Sequence, residues 1–186
     1  MSGPKRRSQV LGIAAGEFAN HGLHGASIDA IAHEAGITQA YVFRMFGTKK
    51  ALFVELVGAA FDRFTDGMAQ AAKDARGLDA LALMGAQYYE SLADRTTLML
   101  QLQGFAACGD SEVRDLLRTR LAHMWDTVAD TAGLDPVTVK SFLAFGMLLN
   151  NVAALDIDEL DEPWAKGVRT RIQAGLFEHI TTETNR

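Results

Sequence analysis

Apolar residues recur at three- and four-residue intervals through most of this chain. Strand-like alternation and hairpin dipeptides are absent, so the pattern predicts an all-α protein. A first helix is expected over residues 4–20, with Val10, Ala14 and Phe18 on one side and Leu11, Ala15 and Ala19 beside them. Two short helices follow. Ile28, Ile31, Ala32 and Ala35 give one apolar face to a helix that Ser27 caps, and Val42, Met45 and Phe46 face inward from a helix that Thr38 caps. Thr48 opens a long fourth helix, along which Phe53, Val57, Phe61, Phe64 and Met68 trace an apolar stripe. After a break near Gly77, helical patterns cover residues 78–93, 96–107, 111–132, 136–155 and 163–182. Pro136 and Pro163 each stand behind an acid, as the first helical residue behind a cap.

The two short helices form one motif with a physical logic. Gly36 ends the first, because the residue past a helix C-terminus commonly takes positive φ and glycine does so without a Cβ clash. Small Ala32 suits the close crossing of two helices over a short turn. This spacing predicts a helix-turn-helix whose second helix enters a DNA major groove. Thr38, Gln39, Tyr41, Phe43 and Arg44 then lie at its reading end. Gln pairs with adenine, Arg reaches guanine or phosphate, and aromatic rings lie against thymine methyls or sugars. The lysines of Thr48-Lys49-Lys50 break a local rule, since cations oppose the macrodipole at a helix N-terminus. A DNA phosphate bound there would resolve the conflict. Ser27, Lys5 and Arg6 complete the residues assigned to DNA.

Charge sharpens this division. Residues 1–50 hold six Lys or Arg against three acids, a net of +3, so with −5 overall the remainder carries −8. A basic head on an acidic body confines nucleic-acid contact to the N-terminus. At 186 residues and 48% hydrophobic content the chain can build one good core or two small ones. A single cysteine, Cys108, excludes an internal disulfide framework. No stretch reads as a membrane helix or a signal peptide, so a cytoplasmic protein is expected.

The last two helical patterns predict self-association. Residues 136–155 are apolar on nearly every side, and Trp164, Val168, Ile172, Leu176 and Ile180 form a four-residue row. A helix apolar all round must be covered on all sides, and in so small a chain the cover is a second copy. Phe145, Leu149, Val152, Trp164, Val168, Ile172 and Leu176 are assigned to a homodimer interface of four helices. Asn150 and Asn151 interrupt the most hydrophobic helix, and Gln103 lies between apolar neighbours. Buried amides must be bonded, whether to each other, across a dimer or to a ligand.

In combination and order, the N-terminal third resembles the tetracycline-repressor (TetR) family of bacterial regulators. The resemblance rests on the apolar first helix from Val10 to Phe18, the A-x-x-x-G of Ala32 to Gly36, the aromatic-x-x-Phe of Phe43 to Phe46, then Thr48-Lys49 and Leu52. Two positions depart from the family's habit: Phe43 stands where Tyr is frequent, and Lys50 where an acid is common. The resemblance implies a three-helix DNA-binding head over residues 1–50, joined by a linking helix to about residue 66. Residues 51–186 would form a helical effector-binding and dimerisation body. It also implies a small-molecule pocket among the middle helices, for which Tyr88, Met99, Gln103, Phe105, Trp125, Phe142 and Asn150 are candidates. Plain core is the competing reading of every one of them.

Other chemistry is weakly written. The acids between Asp156 and Glu162 lack calcium-loop spacing and read as a solvated turn, while Glu17, His21 and His24 are a chance cluster at a helix end. No metal site and no cofactor are expected. The function that follows is a homodimeric repressor on a pseudo-palindromic operator, with half-sites roughly 34 Å apart, released by a small molecule through a population shift. An effector-independent regulator or an activator would carry the same residues. A helical-bundle enzyme or carrier, with the head as an interaction module, is a different class. No Glu-x-x-His pair, phosphate loop or nucleophile elbow supports it.

Overall fold

The structure, a computed structural model, describes residues 3–170. Every element among them is helical: α1 (Gly3–Gly25), α2 (Ile28–Glu34), α3 (Gln39–Phe46), α4 (Lys49–Ala71), α5 (Gly77–Ser91), α6 (Arg95–Ala106), α7 (Ser111–Ala132), α8 (Pro136–Ala154), a 3-10 turn at Ile157–Glu159, and α9 (Pro163–Arg169). Predicted caps set several of these boundaries. Ser27 Oγ accepts from the Ala30 amide, Thr38 Oγ1 from Tyr41 and Thr48 Oγ1 from Ala51. Asp135 accepts from the Val137 and Thr138 amides, with Pro136 as the first residue of α8.

The chain divides into two compact units, one of Met1–Asp62 with Asp94–Arg120, the other of Arg63–Ala93 with Leu121–Arg186. The division falls within α4 and within α7. The first unit thus holds α6 and the front of α7 together with the helix-turn-helix, a grouping that sequence spacing does not reveal.

In the first unit Val10, Ala14 and Phe18 are fully buried, and Phe18 meets Phe53 edge to face at 5.3 Å between ring centroids. α1 outruns its predicted end because Gly22, at φ 66° and ψ −176°, breaks the helix without ending the coil of chain. Gln103 of α6 closes over that break. Its Nε2 donates to the Ala19 carbonyl at 3.3 Å, and a Cβ on Gly22 would stand 2.6 Å from its Oε1.

In the second unit α5 packs against α8. Buried Tyr88 donates its hydroxyl to Asn150 Oδ1 at 2.7 Å, so these two polar groups of the core satisfy one another. Burial pushes the Tyr88 phenol well above its usual range, against the Asn150 hydrogen bond, so it stays a donor. Phe64 stacks edge-on against Tyr88 at 4.9 Å. Val152, Ile157 and Ala165 form a small separate cluster, with Val168 packed against it.

α8 corrects one expectation. With 19 residues and a mean hydropathy of 1.3, it is long and apolar enough to cross a membrane, though only 22% of that span is buried within the chain. Phe142, Ala144 and the Phe145–Leu149 run gave it that character, and the two asparagines did not cancel it.

Candidate nucleic-acid interface

Three short steps of chain build the reading edge. Gly36 takes φ 65°, and the Ile37 amide donates back to the Ala32 carbonyl at 3.0 Å, which turns the backbone from α2 into α3. Val42 and Phe46 then bury one side of α3 and Met45 half-buries beside them. What remains outward is Thr38, Gln39, Phe43 and Arg44, with Phe43 41% exposed and Tyr41 half-buried. The structure therefore brings five predicted reading residues to one edge.

Two of those side chains are already ordered by neighbours. The Arg44 guanidinium lies over the Tyr41 ring, 4.4 Å from its centroid. Gln39 Nε2 donates to Asp29 Oδ1 of α2 at 2.8 Å. Tyr41 is thus a platform for Arg44. Asp29 lies in the first turn of α2, where an acid suits the helix dipole, and spacing alone does not reveal its tie to Gln39.

The lysines behave differently from the expectation. Lys49 Nζ donates to the His24 carbonyl at 2.9 Å and to the Ala26 carbonyl at 2.7 Å. Lys50 Nζ lies 2.8 Å from Glu112 and 3.3 Å from Asp110. Hydrogen bonds that it donates to Glu112 and then Asp110 hold the Lys50 ammonium above its usual range, against desolvation. Burial pushes the Asp110 carboxyl up, but the Val113 and Glu112 amides and the Lys50 ammonium more than offset this and hold it low. The conflict at the start of α4 is thus resolved inside the protein, by carbonyls at the end of α1 and acids at the start of α7. It no longer argues for a phosphate. Arg6 is also engaged, donating to the Ala35 carbonyl and to Gln9, both at 3.1 Å, so it closes the C-terminal end of α2. Lys5 is exposed. Ser27 is occupied as a cap, and its own amide donates to Glu17 Oε1 at 2.8 Å.

The second unit contains a cavity of about 450 Å³. Its walls are mainly apolar and include Met68, Leu81, Met124, Phe142 and Leu149, with Tyr88 and Arg169 among its more polar side chains. Of the seven predicted ligand residues, Tyr88 and Phe142 line it. Gln103 is taken up by α1, and Phe105 packs edge-on against Phe61 at 5.7 Å within the first unit. Met99 belongs to that unit too, while Trp125 and Asn150 do not line the cavity. Helical spacing could not separate these cases, because one apolar stripe serves a core and a cavity alike.

The predicted interface residues also divide. Val152 is buried within its own chain beside Ile157 and Ala165, so it has no surface for a partner, and Val168 packs against the same cluster. Phe145 and Leu149 are half-buried and line the cavity. Trp164 is 54% exposed. Ile172 and Leu176 lie outside the described residues. Met147 and Leu148, at 44% and 45% exposure, are exposed apolar side chains of α8 outside the predicted interface set, and both border the cavity.

A short capped helix, a glycine turn and a second helix with its polar N-terminal edge outward make a helix-turn-helix, the class of element that reads DNA. Residues 10–56 match the model of the bacterial regulatory proteins of the tetR family. The helix-turn-helix head is thus that of the TetR family, over the residues that the model matches. It is 38% identical over 55 residues to an uncharacterized HTH-type transcriptional regulator, YdgC, of Bacillus subtilis. Over 67 residues it is 31% identical to the HTH-type transcriptional activator FasR of Mycolicibacterium smegmatis. These matches take in 30% and 36% of this chain, and the chain spans less than a third of either relative, 28% and 31% of their lengths. Across the whole fold, the chain is similar to the fatty acid degradation regulator FadR of Bacillus halodurans. The TM-score is 0.69 at 19% identity, covering 96% of this chain and 97% of that one. FadR of Bacillus subtilis, solved in complex with stearoyl-CoA, gives 0.65 at 16% identity, covering 92% and 94%.

Proposed function

We propose that the chain is a cytoplasmic, homodimeric transcriptional repressor that reads a pseudo-palindromic operator with α3 and leaves it when an apolar effector fills the cavity of the second unit. The observation that carries this reading is the outward set Thr38, Gln39, Phe43 and Arg44 on the one segment that also matches the family model. Gln39 is the base reader and Arg44 the cation for guanine or phosphate. Phe43 offers a ring to thymine methyls, and Tyr41 acts through Arg44 rather than as a substitute for the hydroxyl absent at Phe43. Lys49, Lys50 and Arg6 support the head rather than bind phosphate.

The size of the cavity supports a small-molecule effector, falling within the roughly 300–1,000 Å³ of such sites. Its apolar walls and the stearoyl-CoA complex of the B. subtilis neighbour favour a ligand with a long acyl chain. α4 and α7 each run from the unit that contains the cavity into the unit that contains α3, which gives an effector a covalent route to the head. The match to a protein named as an activator favours one second reading, in which the same DNA binding raises transcription.

Selection of bound sequences from random DNA tests the proposal. A recovered inverted repeat whose binding is abolished by micromolar stearoyl-CoA is the expected result. A repeat that is bound equally well with and without acyl-CoA would leave the DNA reading standing and remove the effector class. Recovery of no preferred sequence would remove the DNA reading itself.

A further inference from the structure

We propose that Asp29 is a positioning residue that sets which bases Gln39 accepts. The inference rests on the reading of α3 as the helix that meets DNA, and adds to it a device on α2. The two residues come from different helices, ten positions apart, and the glycine turn at Gly36 is what brings them together.

The chemistry follows from what each group can do. A carboxylate is an acceptor only, while a primary amide presents a carbonyl oxygen at one corner and an N–H₂ group at the other. Only the N–H₂ corner can face Asp29, and in the structure it does, at 2.8 Å. The flipped amide would set Oε1 against a carboxylate oxygen, two acceptors with no proton between them. The amide is therefore held one way round, with its carbonyl corner turned away from α2. Both residues are exposed at the reading edge, so this choice is presented to whatever approaches α3.

A Gln without such a neighbour is ambivalent. It donates to guanine O6 or N7 or thymine O4 in one orientation, and accepts from adenine N6 or cytosine N4 in the other. With its carbonyl corner leading, Gln39 favours a base that carries an exocyclic amine in the major groove, adenine or cytosine. A guanine O6 or thymine O4 facing that corner would oppose oxygen to oxygen, and could use only the one N–H that Asp29 leaves free. The exposed place of Gln39 on α3 offers it as a contact; Asp29 biases that contact toward adenine and cytosine. Arg44, whose guanidinium is stacked on Tyr41, has no acceptor capacity and is not subject to this choice.

The test is base preference measured by the full-length protein on a library in which each operator position is varied in turn. In the unsubstituted protein, one position per half-site should prefer adenine or cytosine by about fivefold or more. Asp29→Ala should flatten that position to within about twofold while every other position keeps its preference, since the amide then rotates freely. Gln39→Ala should flatten the same position, and Asp29→Ala should add nothing in its background. Asp29→Glu, which keeps an acceptor, should restore part of the preference. Uniform loss of preference at all positions in Asp29→Ala would show that the acid serves only the stability of α2, and would overturn the proposal. So would a preference in Asp29→Ala that matches the unsubstituted protein. If the unsubstituted protein prefers no base at any position, the reading of α3 falls and this inference falls with it.

Discussion

Lys49 shows how one side chain can change its meaning once the fold is known. At the first position of α4 its charge opposes the helix dipole, and in the linear sequence only an external anion answers it. In the fold, the His24 and Ala26 carbonyls sit at and just past the end of α1, where carbonyls lack helical partners. One helix's negative end thus neutralises a cation on another's positive end. Lys49→Met keeps the aliphatic stem but loses both bonds, and is expected to cost about 1–2 kcal/mol of stability, measured as a lower urea midpoint. Its DNA binding should keep the unsubstituted salt dependence. Arg44→Ala should do the reverse if the side chain meets phosphate, leaving stability within about 0.5 kcal/mol while lowering the salt slope by about one. Parallel salt titrations of the two variants separate a structural cation from a nucleic-acid contact.

At the scale of the helix, caps explain why so much was legible in advance. Ser27, Thr38, Thr48 and the Asp135-Pro136 pair are local signals, since each acts on amides two or three residues away, and each starts a helix where the sequence placed one. The bonds of Gln103 and Lys49 were not legible, for the opposite reason. Their partners lie 84 and 23 to 25 residues away, and no periodicity encodes such pairing. The local signals also carry a pH dependence. The Thr138 hydroxyl and then its amide hold the Asp135 carboxyl below the usual carboxylate range, so its folded pKa is depressed. Stability from this group is therefore fully present above the unfolded value, about 3.9, and is lost as pH falls through the lower folded value. Asp135→Asn keeps an acceptor at the cap but has no charge to lose. Its urea midpoint should fall less between pH 6 and pH 3 than that of the unsubstituted protein. Tyr88→Phe tests the link between α5 and α8. It removes the Tyr88 donor from the buried Asn150 oxygen, and a loss of about 1–3 kcal/mol is expected, read by thermal unfolding.

For the molecule as a whole the question is what covers α8. Its mean hydropathy suits a bilayer, but its placement does not: Thr138, Val139, Asn150 and Val152 are buried in the chain, and Asn150 holds a hydrogen bond inside the second unit. A helix committed to its own core on one side cannot also be surrounded by lipid. Met147 and Leu148, which also border the cavity, are exposed on α8, with Leu155 just beyond its end at 68% exposure. Exposed apolar side chains grouped on one helix mark an interaction surface. A two-fold axis lets one such patch cover its own copy, which needs no second partner. The paired substitution Met147→Glu with Leu148→Glu should therefore convert a dimer into a monomer in sedimentation velocity at micromolar concentration. Charges facing their own copies repel, while in the monomer they meet water. The head is untouched by the change, so the monomer should still prefer the same half-site sequence but bind the full inverted repeat at least tenfold more weakly, since one of the two half-site contacts is no longer tethered. A doubly substituted protein that still sediments as a dimer would place the interface elsewhere. Co-sedimentation of the unsubstituted protein with neutral lipid vesicles would return α8 to the membrane reading.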